Sequence, residues 1–212
     1  MPRIHITPVV LNLIIINALV FVALPLFPSL EAYFVLCKSD LFFARPIIIA
    51  ADGQPVGFMP VQLVTSFFSH ANFLHILLNM FALFQFGPTL ETVMGSRRFL
   101  AAYLTIGLGQ MIMTAFLDPS PTPVVGASGA LFGIMVLFAH YFPQTRLGLI
   151  FLPVSFPVRN FMIGAAAISA LMIILEQTTG KSMGNISHFG HLSGMVAGFA
   201  YLHLGKLRKI SR

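Results

Sequence analysis

The sequence predicts an all-α polytopic membrane protein with six transmembrane helices, and three observations support this prediction. Apolar residues make up 57% of the 212 residues and charged residues only 8%, whereas a soluble domain carries about a quarter charged residues. The charged residues divide the chain into six apolar stretches. The length of these stretches is close to the roughly 17–25 residues that a membrane-spanning helix needs. These stretches lack the alternation of barrel strands, and an open sheet edge in lipid would leave backbone groups unpaired.

The helices are expected in one membrane domain over residues 1–212. They are predicted near 9–28, 62–86, 98–117, 126–142, 158–176 and 188–206. The first follows a basic residue as a signal peptide does, but it is long and lacks a small-x-small cleavage site, so we expect it to be retained. The apolar first loop, 31–60, is expected to lie in the membrane interface. The short run 147–158 is expected to be an interfacial connector or to lead into the fifth helix.

The basic residues predict the orientation. With six spans, both chain termini lie on the same side of the membrane. That side collects nine basic residues, and the other side collects three. The nine are Arg3, Arg97, Arg98, Arg146, Arg159, Lys206, Arg208, Lys209 and Arg212, and the three are Lys38, Arg45 and Lys181. The positive-inside rule then places both termini in the cytoplasm. A nucleic-acid surface would need these charges on one face with aromatic residues between them, so no nucleic-acid partner is expected.

The second predicted span contains a polar pair. His75 and Asn79 are four residues apart and share a helix face. Both side chains can donate hydrogen bonds, and two donors aimed at one point suit a developing oxyanion. Taken alone, the pair is explained more simply by hydrogen bonding between helices. His70 either faces another direction or lies at the helix start.

The fourth predicted span opens on Gly126-Ala127-Ser128-Gly129. About 16 residues of helix cover roughly 24 Å, less than a hydrocarbon core of about 30 Å, so the helix is expected to begin below the membrane surface. Ser128 would then lie at a helix N-terminus, where free N–H groups favour a nucleophile and a nearby oxyanion. The alternative is a packing motif, since Gly129 and Gly133 form GxxxG.

The sixth predicted span carries His191, Gly194 and Gly198 on one face. Glycines there would let the fourth helix approach and bring His191 beside Ser128, the arrangement of an activated nucleophile. The alternative is an ordinary polar contact. No carboxylate lies in the interior of a predicted span, so a buried triad is not expected. Without carboxylate or thiolate partners, His70, His75 and His191 are not expected to bind metal.

Together these motifs resemble the rhomboid family of intramembrane serine proteases over nearly the whole chain. The resemblance rests on His-x-x-x-Asn in the second span, Gly-x-Ser-Gly opening the fourth, and His-x-x-Gly-x-x-x-Gly in the sixth. It is closest to the minimal six-helix bacterial form. One departure is that relatives carry a Trp-Arg pair in the first loop and a tryptophan before the second span. This chain has no tryptophan, and Pro60-Val61-Gln62 occupies the second place.

The resemblance implies residue roles. Ser128 would be the nucleophile and His191 the general base and acid, while the Ser128 N–H, His75 and Asn79 would form the oxyanion hole. The supporting residues it implies are Gly126, Gly129, Phe132, His70, Gly194 and Gly198, with Phe132 packed on the catalytic imidazole. Glu91 and Ser96 would stabilise the second loop.

The implied function is cleavage of transmembrane segments of other proteins within the lipid bilayer, without cofactor or metal, in a bacterial inner membrane. One alternative is an inactive rhomboid-like protein that binds membrane clients. Such relatives lack one or both dyad members, and both are present here. A small transporter is less favoured, because no carboxylate lies at membrane depth and no convincing internal repeat is visible.

Overall fold

The computed structural model describes residues 6–38, 48–49, 55–120, 122–149, 152–181 and 186–204. In chain order the helices are α1 (Pro8–Leu26), α2 (Glu31–Phe34), α3 (Gln62–Thr65), α4 (Phe73–Met94), α5 (Ser96–Leu117), α6 (Ser128–Tyr141), α7 (Val158–Thr179) and α8 (His188–Leu204). Single 3₁₀ turns cover Pro28–Leu30 and Ser66–Phe68. The strands are β1 (Ile48–Ile49), β2 (Pro55–Val56), β3 (Arg146–Leu149) and β4 (Leu152–Pro157).

The predicted all-α polytopic membrane fold is confirmed. Within the described residues, α1, α4, α5 and α7 are long and apolar enough to cross a membrane, and α6, with 14 residues, is a shorter apolar helix. The sequence did not predict the two antiparallel hairpins, β1–β2 and β3–β4. The second hairpin occupies the expected connector, with Arg146 opposite Pro157. Residues 39–47 and 50–54 of the first loop lie outside the described residues.

The second span differs from the prediction of one helix over 62–86. The chain forms the short α3, a 3₁₀ turn and an extended stretch at Ser69 and Asn72 before α4 begins at Phe73. Asn72 ends this break because its side-chain oxygen accepts a hydrogen bond from the His75 N–H at 2.9 Å and caps α4. The charge-free run conceals this boundary, since hydropathy does not report capping.

The helix α4 also continues past Pro88 to Met94, where Gly95 separates it from α5. The segment 87–94, which the prediction of a second span ending at residue 86 assigned to the second loop, is therefore helical. Glu91 lies in this extension, and Glu176 lies near the end of α7. The structure therefore places two carboxylates within long helices, both of them near helix ends.

Glu91 connects three helices at one end of the bundle. Its carboxylate accepts hydrogen bonds from Thr7 Oγ1, from the Val9 and Val10 N–H groups, and from Ser96 Oγ at 2.7 Å. The two backbone donors belong to the first turn of α1, whose N–H groups have no partner inside the helix. The predicted structural role of Glu91 and Ser96 thus includes capping α1.

The centre of the bundle consists of α5, α6 and α8, which pack extensively against each other. Glycines allow α6 and α8 to touch through their backbones. A Cβ added to Gly198 would lie 2.6 Å from the Gly133 carbonyl oxygen, and one added to Gly133 would lie 2.7 Å from the Gly194 oxygen. This close approach brings the beginning of α6 next to the beginning of α8, because the two helices run parallel: Gly129 lies against Gly194, and Gly133 lies against Gly198.

Candidate active site

Ser128 and His191 meet at the adjoining ends of α6 and α8. The Nε2 atom of His191 lies 3.0 Å from Ser128 Oγ. Ser128 is the first residue of α6 and His191 lies in the first turn of α8. A hydroxyl at this distance from an imidazole nitrogen has the geometry that general-base activation of a serine requires. The pair is half-buried rather than sealed inside the bundle.

Phe132 holds the imidazole from its other side. It lies one turn after Ser128 on α6, and its ring centroid is 4.3 Å from that of His191, with the two planes inclined by 31°. Among the described residues no carboxylate hydrogen-bonds this ring, so the packing of the Phe132 ring against it is the contact that orients it besides the hydrogen bond to Ser128. The contact agrees with the position expected for Phe132.

The loop before α6 brings Gly126 against the polar pair of α4. Gly126 has a φ of +115°, which residues with a side chain rarely adopt. A Cβ added there would lie 2.7 Å from His75 Nε2 and 3.7 Å from Asn79 Nδ2. Both nitrogens therefore approach one backbone position, two residues before Ser128. Only glycine fits, for reasons of both conformation and space.

Asn79 is buried, and its amide nitrogen has no hydrogen-bond acceptor among the described residues. A buried donor without a partner costs about 1–3 kcal/mol, so its retention in a native structure calls for an explanation. The N–H groups of Ser128, Gly129 and Ala130 also precede the first helical hydrogen bond of α6, which Leu131 donates to the Ala127 carbonyl. These donors converge on the space beside Ser128, where an anionic oxygen could accept from them.

His70 lies before α4 begins, which agrees with the alternative that placed it at the helix start. Its ring meets that of His75 edge to face, with centroids 5.0 Å apart. His70 is buried and contacts the face of His75 instead of pointing elsewhere. It supports the position of His75. No group of three His, Cys, Asp or Glu side chains within the described ranges could hold a metal ion.

The loop carrying Gly126 is attached to the end of the first loop. Leu36 and Val124 form an antiparallel bridge through both backbone hydrogen bonds, at 2.9 and 3.1 Å. Next to the bridge, the Lys38 ammonium pairs with the Asp118 carboxylate and also donates to the Ser120 carbonyl. The side chains of this ion pair are 1% and 4% exposed. The sequence analysis did not predict these contacts.

Gln62, another residue without a predicted role, organises the first loop. Its Oε1 accepts from the Cys37 and Met59 N–H groups, both at 3.1 Å, and its Nε2 donates to the carbonyls of Ala32 and Gly57. The side chain is fully buried. Gln62 belongs to the Pro60-Val61-Gln62 segment, which occupies the place of the tryptophan expected before the second span. In this chain, hydrogen bonds of the Gln62 amide hold the loop. The available signal was a glutamine at the start of a charge-free run.

Gln110 also had no predicted role, although it lies within the charge-free run 99–117 of α5. It is buried on α5, donates to Thr114 Oγ1 at 2.9 Å, and touches Gly129 and Gly190. Both glycines flank the Ser128–His191 pair in sequence. Gln110 therefore packs from α5 against the starts of both α6 and α8, next to the pair.

Comparison with known proteins identifies relatives of the chain. The Rhomboid domain family matches residues 58–207. RHOMBOID-like protein 12, mitochondrial, of Arabidopsis thaliana is 34% identical over 94% of this chain and 59% of its own length. The candidate rhomboid protease YdcA of Bacillus subtilis (strain 168) is 33% identical over 65% of this chain and 63% of its own. Rhomboid protein 1, mitochondrial, of Saccharomyces cerevisiae is 28% identical over 66% and 40%.

The chain thus spans between 40% and 63% of the length of these three relatives. The family match covers the segment that contains α3 to α8, and with it every residue of the candidate site. The resemblance predicted from three motifs is confirmed: this chain belongs to the rhomboid family.

Proposed function

We propose that this protein is an intramembrane serine endopeptidase that cleaves transmembrane segments of other membrane proteins with a Ser128–His191 dyad. The observation that carries the proposal is the 3.0 Å separation of His191 Nε2 and Ser128 Oγ, beside the convergent donors of His75 and Asn79. A polar constellation of this kind within an apolar bundle is costly, and such groups mark functional sites.

In the proposed mechanism, a neutral His191 carries its proton on Nδ1, so that Nε2 accepts the proton of Ser128. The Ser128 oxygen bonds to the carbonyl carbon of the scissile peptide, and the carbonyl oxygen becomes an anion. The Ser128 N–H, His75 and Asn79 would donate to this anion. His191 then gives its proton to the leaving amine as the C–N bond breaks. Water hydrolyses the acyl-enzyme by the same steps.

The position of the dyad suits a substrate that has left its helix. A peptide bond inside a helix has its carbonyl hydrogen-bonded and shielded, so a transmembrane substrate must unwind locally before Ser128 can reach it. Gly and Pro in the substrate lower that cost by about 1 and 3 kcal/mol relative to Ala. We therefore propose that substrates carry Gly or Pro in their transmembrane segment, near the end of that segment that reaches the level of Ser128 in the membrane.

We further infer the orientation of the bundle from its charges. Of the basic residues named above, the structure describes Arg97, Arg98, Arg146 and Arg159 at the end where α1 begins and α8 ends, and Lys38 and Lys181 at the opposite end. The positive-inside rule assigns the first end to the cytoplasm and the dyad to the outer half. A bacterial inner membrane is the location proposed with this orientation, whereas the named relatives include mitochondrial proteins and a bacterial one.

The test is cleavage of a single-span substrate in proteoliposomes by wild type, Ser128→Ala and His191→Ala. We expect wild type to cut, both variants to lose cleavage, and a fluorophosphonate to label wild type but not Ser128→Ala. Near-native thermal unfolding of both variants would show that the loss is chemical. Folded wild-type protein that retains a substrate without ever cutting it would instead identify a client-binding protein.

A further inference from the structure

The helix α7 leaves a groove against α6 and α8. Only three of its 22 residues are buried, Val158, Met162 and Ser169. The groove has a volume of about 640 Å³ and is lined by residues from all three helices. This volume lies in the range of roughly 300–1,000 Å³ that is typical of ligand sites. It extends from the end of α6 opposite Ser128 to Leu192 of α8, and neither Ser128 nor His191 lines it.

The walls of the groove are apolar along most of their length. They include Val136 and Ala139 of α6, Met162 and Ala166 of α7, and Val196 and Phe199 of α8. Val196 and Phe199 are 53% and 60% exposed, so the protein itself does not cover these surfaces. In a bilayer, such walls contact acyl chains.

One end of the groove is basic. His140 stands at the end of α6, Arg159 at the start of α7, and His203 at the end of α8. Because α6 and α8 run parallel and α7 runs in the opposite direction, all three residues lie at the same level, and all three are exposed. No carboxylate lines the groove in the part of the chain that the structure describes. Glu91, the carboxylate described at this end, is engaged by donors of α1 and by Ser96.

We propose that this groove binds one anionic phospholipid. Its phosphate would lie against Arg159, with His140 and His203 at the sides, and one acyl chain would follow the apolar walls. A guanidinium matches phosphate with two parallel hydrogen bonds, and basic pockets between membrane helices on the cytoplasmic side bind anionic headgroups. Charge complementarity at one end and apolar walls beyond it favour this occupant over a peptide helix or a second copy of the chain.

The bound lipid would brace α7. This helix shares few contacts with α6, and its packing against α8 leaves the groove open at the basic end. A lipid that contacts all three helices would add apolar contact along α7 and a charge-assisted contact at Arg159. Because a ligand of the folded state stabilises that state, an occupied groove should raise the thermal stability of the protein.

The test compares wild type, Arg159→Gln and Arg97→Gln in nanodiscs and by native mass spectrometry. Arg97 is a matched control because it is exposed at the same end of the bundle, on α5, and does not line the groove. We expect wild type and Arg97→Gln to retain phosphatidylglycerol over phosphatidylcholine. Arg159→Gln should bind phosphatidylglycerol about fivefold more weakly, the effect of one surface cation.

A second variant and a second anion complete the test. Ala166→Phe fills the groove without removing a charge and should also reduce retention of phosphatidylglycerol. Equal losses in Arg159→Gln and Arg97→Gln would overturn the proposal in favour of general surface attraction. Stabilisation by inorganic phosphate alone, or displacement of the lipid by a transmembrane peptide, would overturn it as well. None of these variants touches Ser128 or His191, so the result does not depend on the proposed protease activity.

Discussion

Lys38 and Asp118, 80 residues apart in sequence, form a buried ion pair that joins the end of the first loop to the segment leading to Ser128. Asp118 also accepts from the Ser120 N–H at 3.0 Å, and Lys38 donates to the Ser120 carbonyl. With the Leu36–Val124 bridge, the pair attaches the segment 118–127 on one side. On the other side, the Gly126 N–H donates to the Ser66 carbonyl at 2.9 Å.

Removing one member of this ion pair should destabilise the protein. For Lys38→Met we expect a loss of about 3–5 kcal/mol, because the variant removes the buried ammonium that pairs with the Asp118 carboxylate. The double variant Lys38→Met/Asp118→Leu should recover much of this loss, since no uncompensated charge remains. Thermal or denaturant unfolding in detergent measures both. A single variant as stable as wild type would show that the pair contributes nothing.

Cys37, adjacent to Lys38, is a natural reporter of the same contact. It is 4% exposed, and burial raises the pKa of its thiol, opposed by a hydrogen bond with Gln62. A raised pKa means less thiolate at a given pH, so alkylation of native protein should be slow and should accelerate only above the ordinary thiol range. In Lys38→Met, maleimide should react faster at the same pH. Equal rates in the two proteins would contradict the coupling.

Gly126→Ala should abolish most activity while leaving the bundle folded. The added Cβ would collide with the His75 ring at 2.7 Å, and alanine disfavours a φ of +115°. A displacement of about 1 Å at a reacting group lowers the rate about 100-fold. Gly164→Ala is the control, because nothing lies within 4 Å of its added Cβ and it is in the middle of α7. Cleavage assays that rank the two variants equally would refute the prediction.

Asn79→Ala should lower kcat with little change in KM, since an oxyanion donor acts in the transition state. Removing one such donor typically costs about 10²–10³ in kcat. The Asn79 amide nitrogen has no hydrogen-bond acceptor among the described residues, so removing it should not lower the stability of the protein. Leu78→Ala, on the neighbouring exposed face of α4, serves as control and should keep kcat. A rise in KM alone would assign Asn79 to substrate binding instead.

Gly198→Ala should separate α6 from α8. Its Cβ would lie 2.6 Å from the Gly133 oxygen and 2.8 Å from the Gly133 Cα, both backbone atoms that cannot move aside cheaply. Overpacking of this kind costs about 1–3 kcal/mol, and fluorophosphonate labelling of Ser128 should slow. Gly109→Ala tests the specificity, because its Cβ meets only Ala197 Cβ at 3.6 Å. Unchanged labelling in Gly198→Ala would show that the contact between α6 and α8 tolerates a methyl group.

The sequence by itself determined the membrane class, the helical architecture and the residues of the candidate site. Lipid excludes charge, so the six charge-free stretches revealed the long helices without any tertiary information. The same apolar background made Ser128, His191, His75 and Asn79 conspicuous, because polar groups at that depth are costly. Their spacing on helix faces also predicted which side chains could meet, while their catalytic roles stay a proposal.

Only the tertiary structure decided where α4 begins, what holds the loop before Ser128, and where α7 leaves space. Asn72 caps α4 through a single hydrogen bond that hydropathy does not register. Lys38 and Asp118 are buried together, although the sequence around each of them predicts only a charged residue in a loop. Such contacts join residues far apart in sequence and depend on distances of a few ångströms. No local pattern encodes those distances, because they arise only when the helices pack.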